Sequence, residues 1–444
     1  MKSEQTSPSR RDFLGFGTAA AAGVVLMSCG NGQKTAKTPE FLDQAPDGPE
    51  LKAGLIGCGG RGTGAALNYL SAGPNLKVVA LGDVFQDRLD ACRTKLKEEK
   101  QNEVADENCF IGFDNYQKVI DAGVDVVIIA TPPHFRPEQF AAAVNARKHV
   151  FMEKPVAVDP VGARSIMASA KKAESLGLNV VTGTQRRHQR NYVTTYAQIA
   201  NGAIGEIVSA NCYWNQRQLW YRNWKPGWSE MEYMIRDWVN WCWLSGDHIV
   251  EQHVHNIDVI NWFSGEHPVK AVAMGARHRR VTGDQYDFFS TDFVYESGMH
   301  VHSMCRQIDG CANNVSEFVQ GTKGSSNCAD SIQDLQGNTI WEYPYGTNEQ
   351  GEMVKKVKVS PYVQEHIDLV TAIRNGDTIN EAENTAISTM AAIMGRISAY
   401  TGQEVTWEQA MNSDLRLGPT EYSMGSVNLP DKGVVPVPGT GPQG

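Results

Sequence analysis

The feature that most constrains this chain is a glycine-rich turn near residue 60. Gly57, Gly59 and Gly62 have the spacing G-x-G-x-x-G, directly after the apolar run 54–56 and before a segment with helical periodicity. Small residues at these positions allow a tight strand-to-helix turn, a close approach of the backbone to a pyrophosphate, and close packing of the helix on the strand. Since the chain contains 42 glycines, an ordinary glycine turn is the alternative. The turn predicts a dinucleotide site.

A carboxylate after the next strand-like run strengthens this prediction. The run 76–81 ends just before Asp83, which stands about where a ribose-binding carboxylate belongs. A carboxylate at this position repels a 2′-phosphate, and no arginine occurs among the next four residues. The sequence therefore predicts NAD rather than NADP, bound by Asp83 and by the turn, including Gly60 and Arg61.

Strand-like and helix-like segments alternate from residue 52 to about 151, and the pattern then changes. This alternation indicates a doubly wound parallel sheet. After residue 206 the strand-like runs follow one another with few helices between them, as in an antiparallel or mixed sheet. We therefore predict an α/β protein with an N-terminal Rossmann doubly wound parallel sheet and a C-terminal α+β domain that contains a large open mixed or antiparallel sheet. The predicted boundaries are a Rossmann domain over 51–184, a substrate domain over 185–417 with a helical segment 362–401 packing back, and an extended tail over 418–444 that is loose from residue 430.

Residues 1–29 are predicted to be an export signal rather than part of the fold. A twin-arginine signal is indicated by Ser-Arg-Arg-Asp-Phe-Leu at 9–14, followed by an apolar, alanine-rich stretch over 15–27. The end of that stretch resembles a lipobox, so Cys29 is the expected site of lipid attachment; the alternative is a plain cleavable signal with an incidental cysteine. A polar tether is predicted over 30–50. We therefore expect the protein in the periplasm or cell envelope, with a lipid anchor.

Export by this route also bears on the cofactor. The twin-arginine pathway carries folded proteins, and free nicotinamide cofactor is scarce outside the cytoplasm. We therefore expect NAD to be loaded before export, held tightly and recycled on the protein.

The overall charge argues against one class of partner, and the cysteine pattern predicts the state of the thiols. A net charge of −9, with no domain-sized basic excess, argues against nucleic acid as a partner. The nine cysteines contain no C-x-x-C pair, and their spacing matches no disulfide framework. Mostly free thiols are therefore predicted.

Two short motifs follow neighbouring strand-like runs of the predicted parallel sheet. Thr131-Pro132 ends the run 124–130, and Glu153-Lys154-Pro155 ends the next run. Because parallel strands end at the same edge of a sheet, both motifs are expected beside the cofactor. A lysine there can bond a substrate hydroxyl and stabilise the oxyanion that develops during hydride transfer. We predict a catalytic role for Lys154 and cofactor contacts for Thr131, Pro132, His134, Glu153 and Lys154.

A segment rich in histidine and acidic residues supplies the third candidate group. A single helix over 249–263 would place Glu251, His255 and Asp258 on one face, at positions i, i+4 and i+7. The imidazole would take the proton of an alcohol, while a carboxylate sets its tautomer or binds the sugar. One alternative is a polar helix packed between domains. Another is a metal site formed by His248, Glu251, His253 and His255. That spacing matches no standard metalloprotease pattern, so no metal is predicted.

Taken together, these motifs resemble those of the Gfo/Idh/MocA oxidoreductase family. The resemblance rests on the glycine turn, Ala130-Thr131-Pro132, Glu153-Lys154-Pro155 and His255-x-x-Asp258, and it extends over about 51–417. It implies oxidation or reduction of sugars or cyclitols with NAD or NADP, with Lys154 as the catalytic lysine and His255 as the acid/base.

The chain also departs from the family pattern at three positions. The family usually has an aspartate where Glu251 stands and a glycine where His253 stands, so both residues are candidates to share the role of His255. It often has a histidine where Arg136 stands, and His134 is the candidate substitute for it.

The predicted substrate wall combines basic and aromatic side chains. Aromatic faces stack on sugar rings, and arginine and asparagine side chains bond to sugar hydroxyls. The stretch 214–243 has an unusual density of tryptophan, which serves either this purpose or packing between the domains. The predicted substrate-binding residues are Arg186, His188, His253, Asp258 and Trp224.

The combined prediction is an NAD-dependent oxidoreductase that acts on a secondary hydroxyl of a sugar or glycoside. One alternative is an NAD-dependent glycosidase of the family 109 type, which oxidises a sugar, eliminates the aglycone and reduces the product. The tyrosine-proline-threonine-histidine stretch associated with that family is missing from the sequence. A non-catalytic sugar-binding protein is the lesser alternative. The expected partners are the small-molecule substrate and further copies of the chain, joined through the open sheet.

Overall fold

Residues 36–347, 350–429 and 432–440 are described by a computed structural model. The predicted signal over 1–29, including Cys29, and the first residues of the predicted tether lie outside these ranges. None of the helices in the described ranges is both long enough and apolar enough to cross a membrane. The eight cysteines of the described ranges are all free, in agreement with the prediction of mostly unpaired thiols.

A six-stranded parallel sheet with flanking helices forms the first part of the fold. Its strands are β1 Leu51–Ile56, β2 Leu76–Asp83, β3 Cys109–Ile111, β4 Val126–Ile129, β5 His149–Met152 and β6 Val180–Thr182. Its helices are α1 Gly60–Leu70, α2 Gln86–Lys100, α3 Asn115–Asp121, α4 Arg136–Asn145 and α5 Pro160–Ser175. The strand order is β3-β2-β1-β4-β5-β6. All of β4 is buried, as expected of a parallel strand covered on both faces. Ligands bind outside the carboxyl ends of such strands where the order reverses, here between β1 and β4.

The glycine turn after β1 is built for close approach. Gly57 has a φ of +95°, and a Cβ atom added there would lie 2.8 Å from backbone atoms of Ala130 and Thr131. A Cβ atom at Gly62 would lie 1.8 Å from the carbonyl oxygen of Gly57. At Gly59 and Gly60 an added Cβ atom would meet no atom within 4 Å. The first and third glycines are therefore required by packing, and the space above the middle of the turn is open.

A nine-stranded mixed sheet dominates the second part. Its strands are β7 Ile207–Gln216, β8 Pro268–Ala276, β9 Phe288–Tyr295, β10 His300–Gln307, β11 Asn314–Gly321, β12 Gly324–Ser326, β13 Ser331–Asp334, β14 Thr339–Glu342 and β15 Val405–Thr406. The helices are α6 Arg190–Ala200, α7 Glu230–Arg236, α8 Cys242–Ser245, α9 His248–Glu251, α10 Val254–Ser264, α11 Pro361–Asn375, α12 Ala382–Thr401 and α13 Trp407–Asn412. The strand order is β14-β13-β12-β11-β7-β10-β9-β8-β15, and only β7 and β10 pair in parallel. Helices α10 and α12 cover one face of this sheet. The predicted fold class is confirmed.

The predicted continuous helix over 249–263 is interrupted, which corrects one expectation. Helix α9 ends at Glu251 and α10 begins at Val254, and the amide of His253 donates to the carbonyl of His248, five residues earlier, at 3.1 Å. The imidazole of His253 turns inward and forms a 2.6 Å hydrogen bond with Ser303 Oγ. Because one extra residue is accommodated here, Glu251 and His255 do not follow the i, i+4 spacing of one helix.

The described parts of the tether and of the tail are packed on the domains, whereas the sequence predicted only a polar tether and a tail that is loose from residue 430. Beyond that residue, the Tyr286 hydroxyl donates to the carbonyl of Pro436 at 2.9 Å. Before β1, Ala36 exchanges two 2.7 Å backbone hydrogen bonds with the side chain of Asn201. In the tail, the ring of Tyr422 stacks on Phe113 at 5.8 Å, and the Val427 amide donates to a carboxylate oxygen of Glu230 at 2.7 Å. Specific contacts of this kind are invisible to composition, which indicated only a polar and Pro/Gly-rich segment.

Candidate active site

Lys154 follows β5 at the edge where the parallel strands end, and its side chain reaches the second domain. Its Nζ atom donates to the backbone carbonyl of Glu251 and lies 3.2 Å from Glu251 Oε1. Both side chains are buried, and Lys154 is 9% exposed. The carboxylate of Glu251 also accepts a hydrogen bond from Gln252. The ammonium group therefore has a fixed position at the junction of the two domains.

His255 lies near the beginning of α10, in the same region. Its ring is stacked on that of Trp214, with centroids 5.4 Å apart and an interplanar angle of 21°. Burial lowers the pKa of His255 well below its ordinary value, and the charges of Lys154 and Arg186 lower it further. Within the described ranges no group forms a hydrogen bond with this imidazole. These surroundings favour the neutral form of the His255 ring and leave its nitrogen atoms without a partner in the described ranges.

Glu317 on β11 completes this part of the site and was missed by sequence reasoning. Its Oε1 atom accepts a 2.6 Å hydrogen bond from Asn256 and lies 3.1 Å from Arg186 Nη1. Its Oε2 atom accepts from the Tyr192 hydroxyl at 2.9 Å. The guanidinium of Arg186 also lies over the Trp214 ring, 5.4 Å from its centroid. Arg186, predicted to bind substrate, thus lies beside Trp214, the ring that is stacked on His255.

Glu365 on α11 is a second carboxylate that the sequence analysis missed. It is fully buried, and its Oε2 atom lies 3.7 Å from Arg61 Nη2. Burial raises the pKa of Glu365 well above its ordinary value. The Nε atom of Arg61 bonds Glu153 Oε1, so this arginine connects the glycine turn with the end of β5.

Weak periodic signals existed for both missed residues. Glu317 stands on the same side of β11 as the buried Val319. Glu365 is four residues before the buried Leu369 on α11, which places both on one helix face. An acidic residue on a face that must be buried requires a partner, and that requirement was the available signal.

The residues around the glycine turn fit a bound dinucleotide. Helix α1 begins at Gly60 with no side-chain cap and no acidic residue in its first turn, so its N–H groups are available to phosphates. The carboxylate of Asp83 accepts from the amides of Cys58 and Phe85, at 2.7 and 2.9 Å. These bonds hold the carboxylate at the end of β2, beside the turn.

The predicted cofactor wall after β4 has its own partners. The Thr131 hydroxyl donates to Gln139 Oε1 at 2.6 Å, and Pro132 follows it. His134 Nε2 lies 2.7 Å from the Tyr422 hydroxyl, and its ring makes an edge contact with Trp243 at 5.0 Å. The tail therefore covers His134, whose contact with a cofactor stays a prediction.

Two histidines predicted to bind substrate are buried among protein groups, which corrects those predictions. His188 is 1% exposed and lies 2.6 Å from Asp368 Oδ2 and 3.0 Å from Glu381 Oε1. His253 is fully buried and bonds Ser303. Neither ring is accessible to a substrate.

The other two predicted substrate residues are also placed differently. Asp258 forms a bidentate pair with Arg187, at 2.8 and 2.9 Å, and accepts a 2.8 Å hydrogen bond from Ser388. Both oxygens of this buried carboxylate are thereby used in structure. Trp224 is half exposed and packs on Tyr233, which lies against the hydrophobic cluster that contains Phe85, just after β2. Trp224 thus lies with the elements around β2 rather than with Lys154.

Within the described ranges there is no cluster of three or more His, Cys, Asp or Glu side chains suited to a metal ion.

Comparison with known proteins agrees with this architecture. A model described as an oxidoreductase family with an NAD-binding Rossmann fold matches residues 51–180, and a GFO/IDH/MocA C-terminal domain matches 192–327. The fold and the glycine turn thus define an NAD-binding oxidoreductase domain joined to a sheet domain. The chain belongs to the Gfo/Idh/MocA family.

Several relatives have names that refer to inositol. The chain is 26% identical over 226 residues to a myo-inositol 2-dehydrogenase of Thermotoga maritima, an alignment that covers 51% of this chain and 58% of the relative. It is 30% identical over 239 residues to an inositol 2-dehydrogenase of Acidothermus cellulolyticus, with 53% and 60% covered. It is also 28% identical over 212 residues to a 2,7-anhydro-N-acetylneuraminate hydratase of Escherichia coli, with 46% and 50% covered. The matches thus span about half the length of these relatives.

Solved structures share the fold over most of the chain. A scyllo-inositol dehydrogenase of Lactobacillus casei with bound NAD(H) and scyllo-inositol has a TM-score of 0.59 at 21% identity, covering 80% of this chain and 99% of that one. An oxidoreductase domain protein of Kribbella flavida has a TM-score of 0.65 at 17% identity, covering 81% and 99%. At such identities the likeness establishes the fold alone.

Proposed function

We propose that the protein is an NAD-dependent oxidoreductase acting on a secondary hydroxyl of a sugar or glycoside. The observation that carries this proposal is that Lys154, held by Glu251 at the carboxyl end of β5, is close enough to His255 for its charge to lower the pKa of that ring. Bound NAD supplies a hydride acceptor in one direction and, when reduced, a hydride donor in the other. The inositol-related names of several relatives support a polyhydroxylated ring as the substrate.

The protein groups have separate roles in this proposal. Lys154 donates a hydrogen bond to the reacting oxygen and stabilises the negative charge that develops on it. His255 is the candidate acceptor of the hydroxyl proton, because the charge of Lys154 acts on its imidazole, which forms no hydrogen bond within the described ranges. Glu251 holds the ammonium of Lys154, and the buried Glu317 fixes the guanidinium of Arg186, which is the candidate donor to a further ring hydroxyl.

The proposal is tested by screening sugars, cyclitols and glycosides for reduction of protein-bound NAD, followed by absorbance. Wild type should reduce its nucleotide with at least one compound, and Lys154→Ala should not. If Lys154→Ala were as active as wild type, the role of Lys154 would be refuted; if wild type reduced no NAD with any compound, the lesser alternative of a non-catalytic sugar-binding protein would gain support.

Tight retention of NAD belongs to the same proposal. Arg236 on α7 bonds both carboxylate oxygens of Asp87, at 3.0 and 2.9 Å, and its guanidinium lies 3.9 Å above the Phe85 ring. Phe85 is two residues beyond Asp83, where the adenosine half of NAD is expected. These contacts, here called the Arg236 clasp, support slow release of the nucleotide.

A second candidate function is glycoside cleavage through transient oxidation. The specific observation in its favour is the hydratase among the relatives, because that name denotes a reaction other than net oxidation of an alcohol. Aryl glycosides without added NAD distinguish the two candidates. Repeated release of aglycone without an external oxidant would favour cleavage, whereas a single stoichiometric reduction of bound NAD would favour the oxidoreductase.

Export and lipid anchoring at Cys29 remain proposals that rest on the sequence of residues 9–29. Replacement of Arg10 and Arg11 by lysine should leave the protein in the cytoplasm. Cys29→Ala should abolish labelling by a radioactive fatty acid and release the protein from the membrane fraction. Labelling of Cys29→Ala at the wild-type level would contradict the lipid anchor.

We also propose self-association through the open face of the nine-stranded sheet. Val272 and Met274 on β8 are 50% and 69% exposed there, and Phe318 on β11 lies in the same cross-strand row as Val272. Burial of these apolar side chains is favourable. Met274→Lys should shift the sedimentation coefficient toward that of the monomer.

A further inference from the structure

One buried cation near the site has no role in the chemistry described above. Arg136 is the first residue of α4 and is 4% exposed. Its Nε atom donates to the carbonyl of Thr131 at 2.8 Å, and its Nη1 atom donates to the carbonyls of Glu153 and Pro155 at 2.9 and 2.5 Å. Within the described ranges no carboxylate forms a salt bridge with it. All its hydrogen bonds therefore go to backbone oxygens.

The three carbonyls belong to the two loops that form the reaction edge. Thr131 follows β4 and begins the predicted cofactor wall. Glu153 and Pro155 are the two residues on either side of Lys154. A single planar group thus fixes the wall, the peptide unit before Lys154 and the peptide unit after Pro155 relative to one another. A lysine could not do the same, because its ammonium is a point charge without the planar fork of donors.

A buried guanidinium is a costly way to join two loops. Removing a cation from water is unfavourable unless its donors are satisfied. Burial lowers the pKa of Arg136 to about 10, so the side chain remains charged at neutral pH. Two of its three hydrogen bonds go to the residues on either side of Lys154, and the placement of that segment matters for the proposed reaction.

We propose that Arg136 is a positioning residue that holds the backbone of Lys154 so that its ammonium meets the reacting oxygen. This inference rests on the proposed function. It also gives a role to the position where the family often has a histidine. Small displacements of a catalytic group reduce the rate strongly, by about 10²-fold for 1 Å in favourable cases. Arg136 therefore acts on the chemical step through Lys154 and not through contact with substrate.

A matched control exists in the same chain. Arg374 on α11 also donates to backbone carbonyls of separate segments, those of Pro46, Pro49 and Pro74, at 2.5, 3.1 and 2.8 Å. These segments lie before β1 and between α1 and β2, away from Lys154. Arg374→Lys therefore reports the effect of losing such a brace outside the site.

The test compares Arg136→Lys and Arg374→Lys in the full-length protein loaded with NAD. We would measure kcat and KM for the sugar found in the screen, the midpoint of urea unfolding, and the deuterium uptake of a peptide covering residues 150–157. Arg136→Lys should lower kcat by about 10-fold to 10²-fold, change KM less than threefold and increase uptake in that peptide. Arg374→Lys should lower the midpoint without changing kcat.

Two results would overturn the inference. One is a kcat of Arg136→Lys equal to that of wild type. The other is a loss of kcat accompanied by equal changes in KM and midpoint, as expected of a purely structural brace. If wild type reduced no NAD with any sugar, the proposed function would fail. The inference would still be tested separately, because unchanged deuterium uptake over 150–157 in Arg136→Lys would refute the bracing of Lys154.

Discussion

The Nζ atom of Lys154 lies 3.2 Å from Oε1 of Glu251, and this contact joins the end of a parallel strand in one domain to a short helix in the other. The side chains of both residues are at most 10% exposed. Because both charges are largely removed from water, each depends on the other for compensation. The pair therefore couples the position of the proposed catalytic lysine to the contact between the domains.

Removing the ammonium should abolish most of the activity. Lys154→Ala is expected to lower the rate of reduction of bound NAD by about 10²-fold to 10³-fold, the loss typical when one oxyanion donor is removed. The nucleotide content of the purified variant should equal that of wild type, measured after acid release. A variant that lost NAD in proportion to activity would show that Lys154 serves binding instead.

Removing the charge of Glu251 tests the pair from the other side. Glu251→Gln keeps the shape of the side chain but leaves the buried ammonium without its counter-charge, so we expect kcat to fall by at least about tenfold, or 1.4 kcal/mol in the barrier. Glu404→Gln is the control, since Glu404 lies 3.1 Å from Lys270 in an exposed pair. Exposed pairs contribute little, so this variant should match wild type. Equal kinetics for both variants would contradict the role of Glu251.

Replacing His188 should affect stability and not substrate affinity. His188→Leu leaves Asp368 and Glu381 buried without their shared partner, for an expected loss of about 3–5 kcal/mol in the free energy of unfolding. Urea titration measures this loss, and KM for the sugar should remain within twofold. A large rise in KM at wild-type stability would restore the substrate role that the sequence suggested.

The buried histidines should make the protein sensitive to acid. Burial lowers the pKa of His253 to about 3 and those of His255 and His366 well below the ordinary value. Below about pH 6.5 the unfolded chain binds protons at these positions that the folded protein does not. Each group therefore reduces the free energy of unfolding as the pH falls below 6.5, and for His253 the slope approaches about 1.4 kcal/mol per pH unit near pH 5.

One histidine acts in the opposite direction. The carboxylates of Glu381 and Asp368 outweigh burial and raise the pKa of His188. Its stabilising contribution is therefore complete below pH 6.5 and is lost as the pH rises through the pKa of the folded protein.

Urea unfolding at pH 7 and at pH 5.5 measures the net effect of these histidines on the free energy of unfolding. His253→Gln should have a smaller decrease between these values than wild type; an identical decrease would refute the assignment of the effect to this ring.

Opening the Arg236 clasp should accelerate release of NAD. Arg236→Ala removes both the pair with Asp87 and the contact with Phe85, and about 1 kcal/mol of lost interaction corresponds to a roughly fivefold faster dissociation. Dilution of the loaded protein into a nucleotide scavenger measures this rate. Lys270→Ala is the control, because it removes an exposed pair elsewhere and should leave the dissociation rate of NAD unchanged. An unchanged rate in Arg236→Ala would show that the clasp has no part in retention.

The fold and the reaction edge were predictable because local patterns determine them. The G-x-G-x-x-G turn, Thr131-Pro132 and Glu153-Lys154-Pro155 each follow an apolar strand, and parallel topology brings strand ends together. Glu317 and Glu365 carry no motif, and their importance arises only from partners more than 60 residues away in sequence or on another element. Their place in the site therefore required the three-dimensional structure.

The errors have equally specific causes. The prediction that Glu251, His255 and Asp258 share one face assumed an unbroken helix, whereas the helix is interrupted between Glu251 and Val254, where His253 turns inward and bonds Ser303. The segment around Tyr422 was predicted only to be extended, yet its ring packs on an aromatic surface formed by Phe113 and Phe135. Composition describes the average behaviour of a segment and contains no information on such a complementary surface.

The stacking of Trp214 on His255 has an optical consequence. An indole in contact with an imidazole changes its fluorescence when the neighbouring ring gains a proton or is displaced, so Trp214 is a natural reporter located beside the proposed base. The difference in emission between the wild type and Trp214→Phe would isolate this signal from the other nine tryptophans of the chain. Occupancy of the site would then be visible in a stopped-flow fluorimeter before any hydride has moved.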